Sequence, residues 1–137
     1  MSPSNNMSPS PWKEKGTGDE VMSTLTKGEG RNAVSLKADK IGKDLVVTIF
    51  NEGAHIGAVA VGDWDKKNER ASVSVITRLG HKDDAIAQRG AYLVCKATKK
   101  PVCVIAGVHL EKITLDEIGI ILQNADAVLD EFVKGLK

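Results

Sequence analysis

The chain has 137 residues, of which 42% are hydrophobic and 27% charged, and its 19 basic and 18 acidic side chains leave a formal net charge of +1. That length suits one domain and is short for two. The near-neutral balance favours neither a nucleic-acid polyanion nor an anionic membrane as partner. No apolar run approaches the 18 or so residues of a membrane span, and the N-terminus has no signal-peptide pattern, so a cytoplasmic protein is expected.

Residues 1 to 30 are rich in Ser, Asn, Pro, Gly and Thr and have no apolar period. Such a stretch buries too little surface to offset the entropy of ordering it, so a flexible arm is expected, with a single domain from 31 to 137. Trp12, Val21, Met22 and Leu25 are the arm's candidate docking residues.

From Ala33, Val34, Leu36 and Ala38 alternate with Ser35, Lys37 and Asp39, the period of two that marks a strand with one solvated face. Ile41 to Asp44 reads as a turn, and Leu45 to Phe50, β-branched and aromatic, as a second strand closed by Asn51-Glu52-Gly53. Ala54 to Val61 reads as a third strand, whose small side chains and Gly57 leave room for a backbone or ligand to come close. Asp63 to Arg70 is the next connection, and Ala71 to Leu79 the fourth strand. Short connections favour an antiparallel meander of these four strands.

Between Lys82 and Lys99, Ile86, Gly90, Leu93, Val94 and Ala97 recur at steps of three and four, which predicts an amphipathic helix that Pro101 terminates. Asp83 and Asp84 suit the positive end of that helix. Val102 to Ala106 makes a fifth strand, and Thr114-Leu-Asp-Glu117 is a capping box opening a helix whose apolar stripe runs from Ile118 through Phe132 to Leu136. The expected fold is α+β: a four-stranded antiparallel meander, then a β-α-β-α part, with both helices on one face of the sheet. Cys95 and Cys103 lie in no CxxC pair and read as reduced, small apolar residues.

The three histidines each fall near a glycine where a strand starts or stops: His55 between Gly53 and Gly57, His81 after Gly80, and His109 after Gly107. With a parallel return of the last strand, all three meet at one sheet edge beside the start of the first helix; with an antiparallel return His109 leaves the group. Imidazoles there could bind a phosphate or carboxylate, transfer protons, or coordinate a metal. The short spacings that hold two histidines on one helix or hairpin are absent, so metal ranks lowest. Arg78 and Arg89 are the nearest candidate cations, and capping or turn roles are the plainer alternative for each histidine. No phosphate-loop, dinucleotide-binding or nucleophile-elbow motif occurs.

Three segments carry a resemblance: Gly53-Ala-His-Ile-Gly-Ala-Val-Ala60, Gly80-His-Lys-Asp-Asp-Ala-Ile86 and Gly107-Val-His-Leu-Glu-Lys-Ile113. Together they resemble the small accessory component of the gallate and hydroxyarylic acid decarboxylases, the prenylated flavin chaperones of the LpdD type, over Ile41 to Lys134. The order of four strands, helix, strand, helix also resembles the proteasome assembly chaperones. The first resemblance implies a non-catalytic accessory protein that binds prenylated FMN and assists a UbiD-type decarboxylase. In that picture His55, Gly57, Gly80, His81, Arg89 and His109 form the cofactor site. The alternatives are an assembly chaperone acting through a surface and a small histidine-dependent enzyme. A homodimer is a further expectation, from the sheet's edge strands and the small-residue third strand.

Overall fold

The computed structural model describes residues 24–78 and 83–136. Gly80 and His81, and the arm residues Trp12, Val21 and Met22, lie outside the described residues. In chain order the elements are β1 (Leu25–Lys27), a 3-10 turn (Gly30–Asn32), β2 (Val34–Ile41), β3 (Asp44–Phe50), β4 (Ala58–Asp65), β5 (Arg70–Thr77), α1 (Asp84–Thr98), β6 (Val102–Gly107) and α2 (Leu115–Gly135).

The fold is α+β, as the sequence predicts, but the meander is not continuous. The sheet order is β1-β2-β3-β6-β4-β5. Two hairpins, β2-β3 and β4-β5, are held apart by β6, which pairs parallel with β3 and antiparallel with β4. The connection from Phe50 to Ala58 therefore steps over one strand, about 10 Å at ordinary strand spacing. It is long enough to do so, and its Asn51-Glu52-Gly53 turn does not close a hairpin. β4 also begins later and ends later than expected. Its far turn is held by the Asp65 carboxylate, which accepts from the Asn68 N–H at 3.1 Å and from Asn68 Nδ2 at 2.8 Å, so pairing persists to Asp65 and Arg70.

Alternation sorts the sheet into two faces. Val34, Leu36, Ala38, Val47, Ile49, Ala58, Ala60, Val104 and Ala106 are buried in one core with residues of both helices. α1 packs very closely. Its buried stripe is Ala87, Gly90, Ala91, Val94 and Cys95, rotated from the expected one toward its smallest residues. The reason is the sheet beneath: a Cβ on Gly62 of β4 would sit 2.9 Å from the Ala91 carbonyl oxygen, so only small groups fit between helix and strand. α2 buries Ile121, Ala125, Val128, Leu129 and Phe132 against β2 and the neighbouring helix, while Ile118 and Leu122 of the expected stripe stay exposed. Burial pushes the Cys95 thiol pKa up, which disfavours the thiolate and fits the apolar role expected for it.

Among the described residues no helix covers the opposite face. Val46, Thr48 and Phe50 of β3, Ile105 and Cys103 of β6, Val59 and Val61 of β4 and Ile76 of β5 point that way. Val61 is 50% exposed and Ile76 75%.

Leu25–Lys27, inside the stretch read as the arm, form a strand of the sheet. β1 pairs with the edge of β2, and Lys27 forms an ion pair with Glu131 of α2. Arg31 reaches across to the start of α2, donating from Nε to Glu117 at 2.7 Å and from Nη2 to the same carboxylate and to the Glu111 carbonyl, both at 2.9 Å. Glu117 is also the return arm of the capping box with Thr114. The Arg31 hydrogen bond and then the Thr114 N–H hold the Glu117 carboxyl down to about 2. A carboxylate with a lowered folded-state pKa stabilises the fold above its unfolded pKa, and that contribution is lost as pH falls through the folded value. We therefore expect Glu117→Gln to flatten the acid side of the stability profile between about pH 4.5 and pH 2, measured by urea unfolding at successive pH values.

Candidate functional site

β4 runs antiparallel to both β5 and β6, so β5 and β6 point the same way and the crossover through α1 is a parallel return. The C-terminal ends of β3, β5 and β6 and the N-terminal end of β4 thus share one edge of the sheet. His109, two residues past β6, and His55, three before β4, meet there. Their ring centroids are 5.3 Å apart with the planes inclined by 34°. His109 Nε2 lies 2.9 Å from a carboxylate oxygen of Glu111.

Two buried polar side chains hold this edge. Asn51, 4% exposed, continues the β3-β6 pairing beyond its last rung: its Nδ2 donates to the His109 carbonyl at 2.7 Å, and its Oδ1 accepts from the His109 N–H at 3.0 Å. The Asn51 carbonyl also accepts from the Ala54 N–H at 3.2 Å, in the turn that delivers His55. One residue thereby places both histidines. Asp83, 8% exposed, stands at the start of α1 and accepts from the Val108 N–H at 3.3 Å. Gly57 is required by that carboxylate, because a Cβ there would fall 1.8 Å from Asp83 Oδ2. The close approach expected at Gly57 is made by Asp83.

Of the two candidate arginines, Arg78 is at this edge. Its Nη1 donates to the Ile56 carbonyl at 2.8 Å and its N–H to the Gly57 carbonyl at 2.9 Å. Arg89 is not brought there: its Nε donates to Asp126 of α2 at 2.7 Å, on the helical side, where it borders a crevice with Ile86, Leu122 and Leu129.

Beside the histidine pair, on the face without helices, lies a cleft of about 440 Å³. Thr48, Phe50 and Ile105 form its floor, and the loop from Asn51 to Ile56 with Gly107 forms its walls. This volume is within the range of small-molecule sites. Among the described residues no group of three or more His, Cys, Asp or Glu side chains is arranged to hold a metal ion. Sequence reasoning missed Asn51, read only as a turn former, and the role of Asp83, read only as helix-start chemistry. Gly107 it read as a strand stop, although a Cβ there would lie 2.4 Å from the His55 carbonyl oxygen. The available signal was positional: a polar residue ending a buried strand, level with the glycine that ends another.

A family model, the prenylated flavin chaperone LpdD-like domain, matches residues 28–137. The chain belongs to this family. The matched span begins just after β1 and takes in the rest of the sheet, both helices and the histidine edge. No curated protein matches the chain. Among solved structures, a chain in the crystal structure of a chaperone complex for yeast 20S proteasome assembly is similar, with a TM-score of 0.54 and 15% identity over 84% of this chain and 98% of that one. At that identity the likeness concerns the fold, and it agrees with the assembly-chaperone topology expected from the order of elements. Among the described residues no helix is long and apolar enough to cross a membrane.

Proposed function

We propose that the chain binds prenylated FMN in the cleft beside His55 and His109 and passes it to a UbiD-type decarboxylase in the cytoplasm. The observation that carries this reading is the coincidence of family membership with a cleft of suitable size at the edge where two histidines meet. The residues fit such a ligand: Phe50, Ile56 and Ile105 offer apolar contact to a ring system, and the tilted imidazoles offer aromatic faces and ring nitrogens. Flavin chemistry belongs to the cofactor. The chain's part is to orient the ring, shield it on one side and release it. His55, which lines the cleft, is assigned to ligand contact, His109 to the flank beside its ring, Asn51 to positioning both, and Gly57 and Gly107 to bringing their loops together. Gly80 and His81 stand in the same reading through the motif alone, and Arg89 is assigned no ligand contact because Asp126 holds it on the other side of the sheet. The apolar sheet face that no described helix covers adjoins the cleft, and we assign docking of the decarboxylase to it.

Mixing the full chain with prenylated FMN under anaerobic conditions and desalting should leave a stoichiometric complex with a perturbed visible spectrum. His55→Ala and His109→Ala should each weaken it about tenfold, equivalent to about 1.4 kcal/mol. No flavin retained at tens of micromolar protein would overturn the reading.

A further inference from the structure

We infer that the cleft recognises the ring and prenyl end of the flavin and leaves its phosphate outside, so that the prenyl group contributes more to affinity than the phosphate does. This rests on the proposed flavin reading and adds the orientation of the ligand.

Charge is the first argument. Among the described residues lining the cleft there is no Lys or Arg, and the one acidic side chain is Glu52. A phosphate dianion placed inside would lose water and face a like charge, and the described lining holds no fixed cation to offset either. The buried Asp83 carboxylate stands at the start of α1 and accepts from the Val108 N–H, so an anion drawn to that helix end would meet a second acceptor there. Arg78, which donates to the Ile56 carbonyl, is not among the residues lining the cleft.

The second argument is the floor. Phe50 and Ile105 stand on neighbouring strands, on the face from which helices are absent, and Ile56 and Ala54 close the side toward His55. These groups match an isoprenoid and a flat heteroaromatic ring, and each methylene removed from water there favours binding. The added carbons of the prenyl unit thus outweigh a phosphate whose surroundings remain aqueous.

The experiment compares three ligands on the full chain: prenylated FMN, its phosphatase product prenylated riboflavin, and unmodified FMN. Prenylated riboflavin should bind at least tenfold more tightly than FMN and within tenfold of prenylated FMN. Ile105→Lys and Ala54→Phe, one on the floor and one on the loop, should each weaken both prenylated ligands by a similar factor. Should either variant fail to fold, the other and the ligand ranking still decide. FMN binding as well as or better than prenylated riboflavin would overturn the orientation while leaving flavin binding intact. Failure of prenylated FMN itself to bind would remove the flavin reading, and the orientation with it.

Discussion

Replacing Phe132 with alanine should destabilise the protein by about 3–5 kcal/mol, the range for a fully buried phenylalanine whose site cannot collapse. Among the described residues Phe132 is the largest side chain with no exposure, and it sits on α2 where that helix meets the sheet. α2 packs on β2, and the buried positions of the same core, Leu36 and Ala38 on β2 and Val128 and Leu129 on the helix, are fixed by backbone pairing and by the helix itself, so little can move in to fill the space. Thermal unfolding should shift down by roughly 15 °C or more, since about 1 kcal/mol moves the midpoint of a domain this size by several degrees. α2 also carries Glu117 and Glu131, which tie down the 3-10 turn and β1, so the loss should loosen that edge of the sheet as well. Phe132→Leu, which keeps most of the volume, should recover most of the stability. A shift below about 5 °C for the alanine variant would show that the core relaxes around the gap.

Replacing Gly107 with alanine should cost less stability and more function. The added Cβ would lie 2.4 Å from the His55 carbonyl oxygen and 3.0 Å from its carbon, and both are backbone atoms with no side-chain torsion to absorb the clash. The loop from Asn51 to Gly57 must therefore move away from the end of β6. It is anchored by the Gly57 N–H to the Ala106 carbonyl at 2.9 Å and by the Asn51 N–H to the Gly107 carbonyl at 3.4 Å, so movement strains or breaks both. Overpacking of this kind costs about 1–3 kcal/mol. The same displacement separates His55 from His109 and reshapes the cleft that both Gly107 and His55 line. Flavin retention should fall by more than tenfold in a protein that still unfolds cooperatively. Unchanged retention would dissociate the histidine pair from ligand binding.

Much of the chain was readable before folding was considered. Leu45 to Phe50 and Val102 to Ala106 are β-branched runs bounded by turn residues, and the Thr114-Glu117 capping box forms in the structure with both of its hydrogen bonds. Those signals are local. They depend on side-chain period, branching and the free amides of a helix end, all set within a few residues of chain. β4 was legible as a strand but not in its limits, because Ala58, Ala60 and Gly62 give almost no contrast between faces; the Asp65-Asn68 turn sets where it ends. The stripe of α1 was misplaced for a related reason: closeness of approach, not hydrophobicity, selects Ala87, Gly90 and Ala91 as its inner face.

The sequence by itself determined that a strand ends on Gly107 just before His109, and that the chain carries one family's motifs. Only the tertiary structure decided that β6 enters between the two hairpins and runs parallel to β3, because strand order depends on pairings between segments far apart in the chain, which no local pattern encodes. That one insertion brings His109 to His55, sets Asn51 level with the His109 backbone, and sends Arg89 to Asp126 on the far side of the sheet.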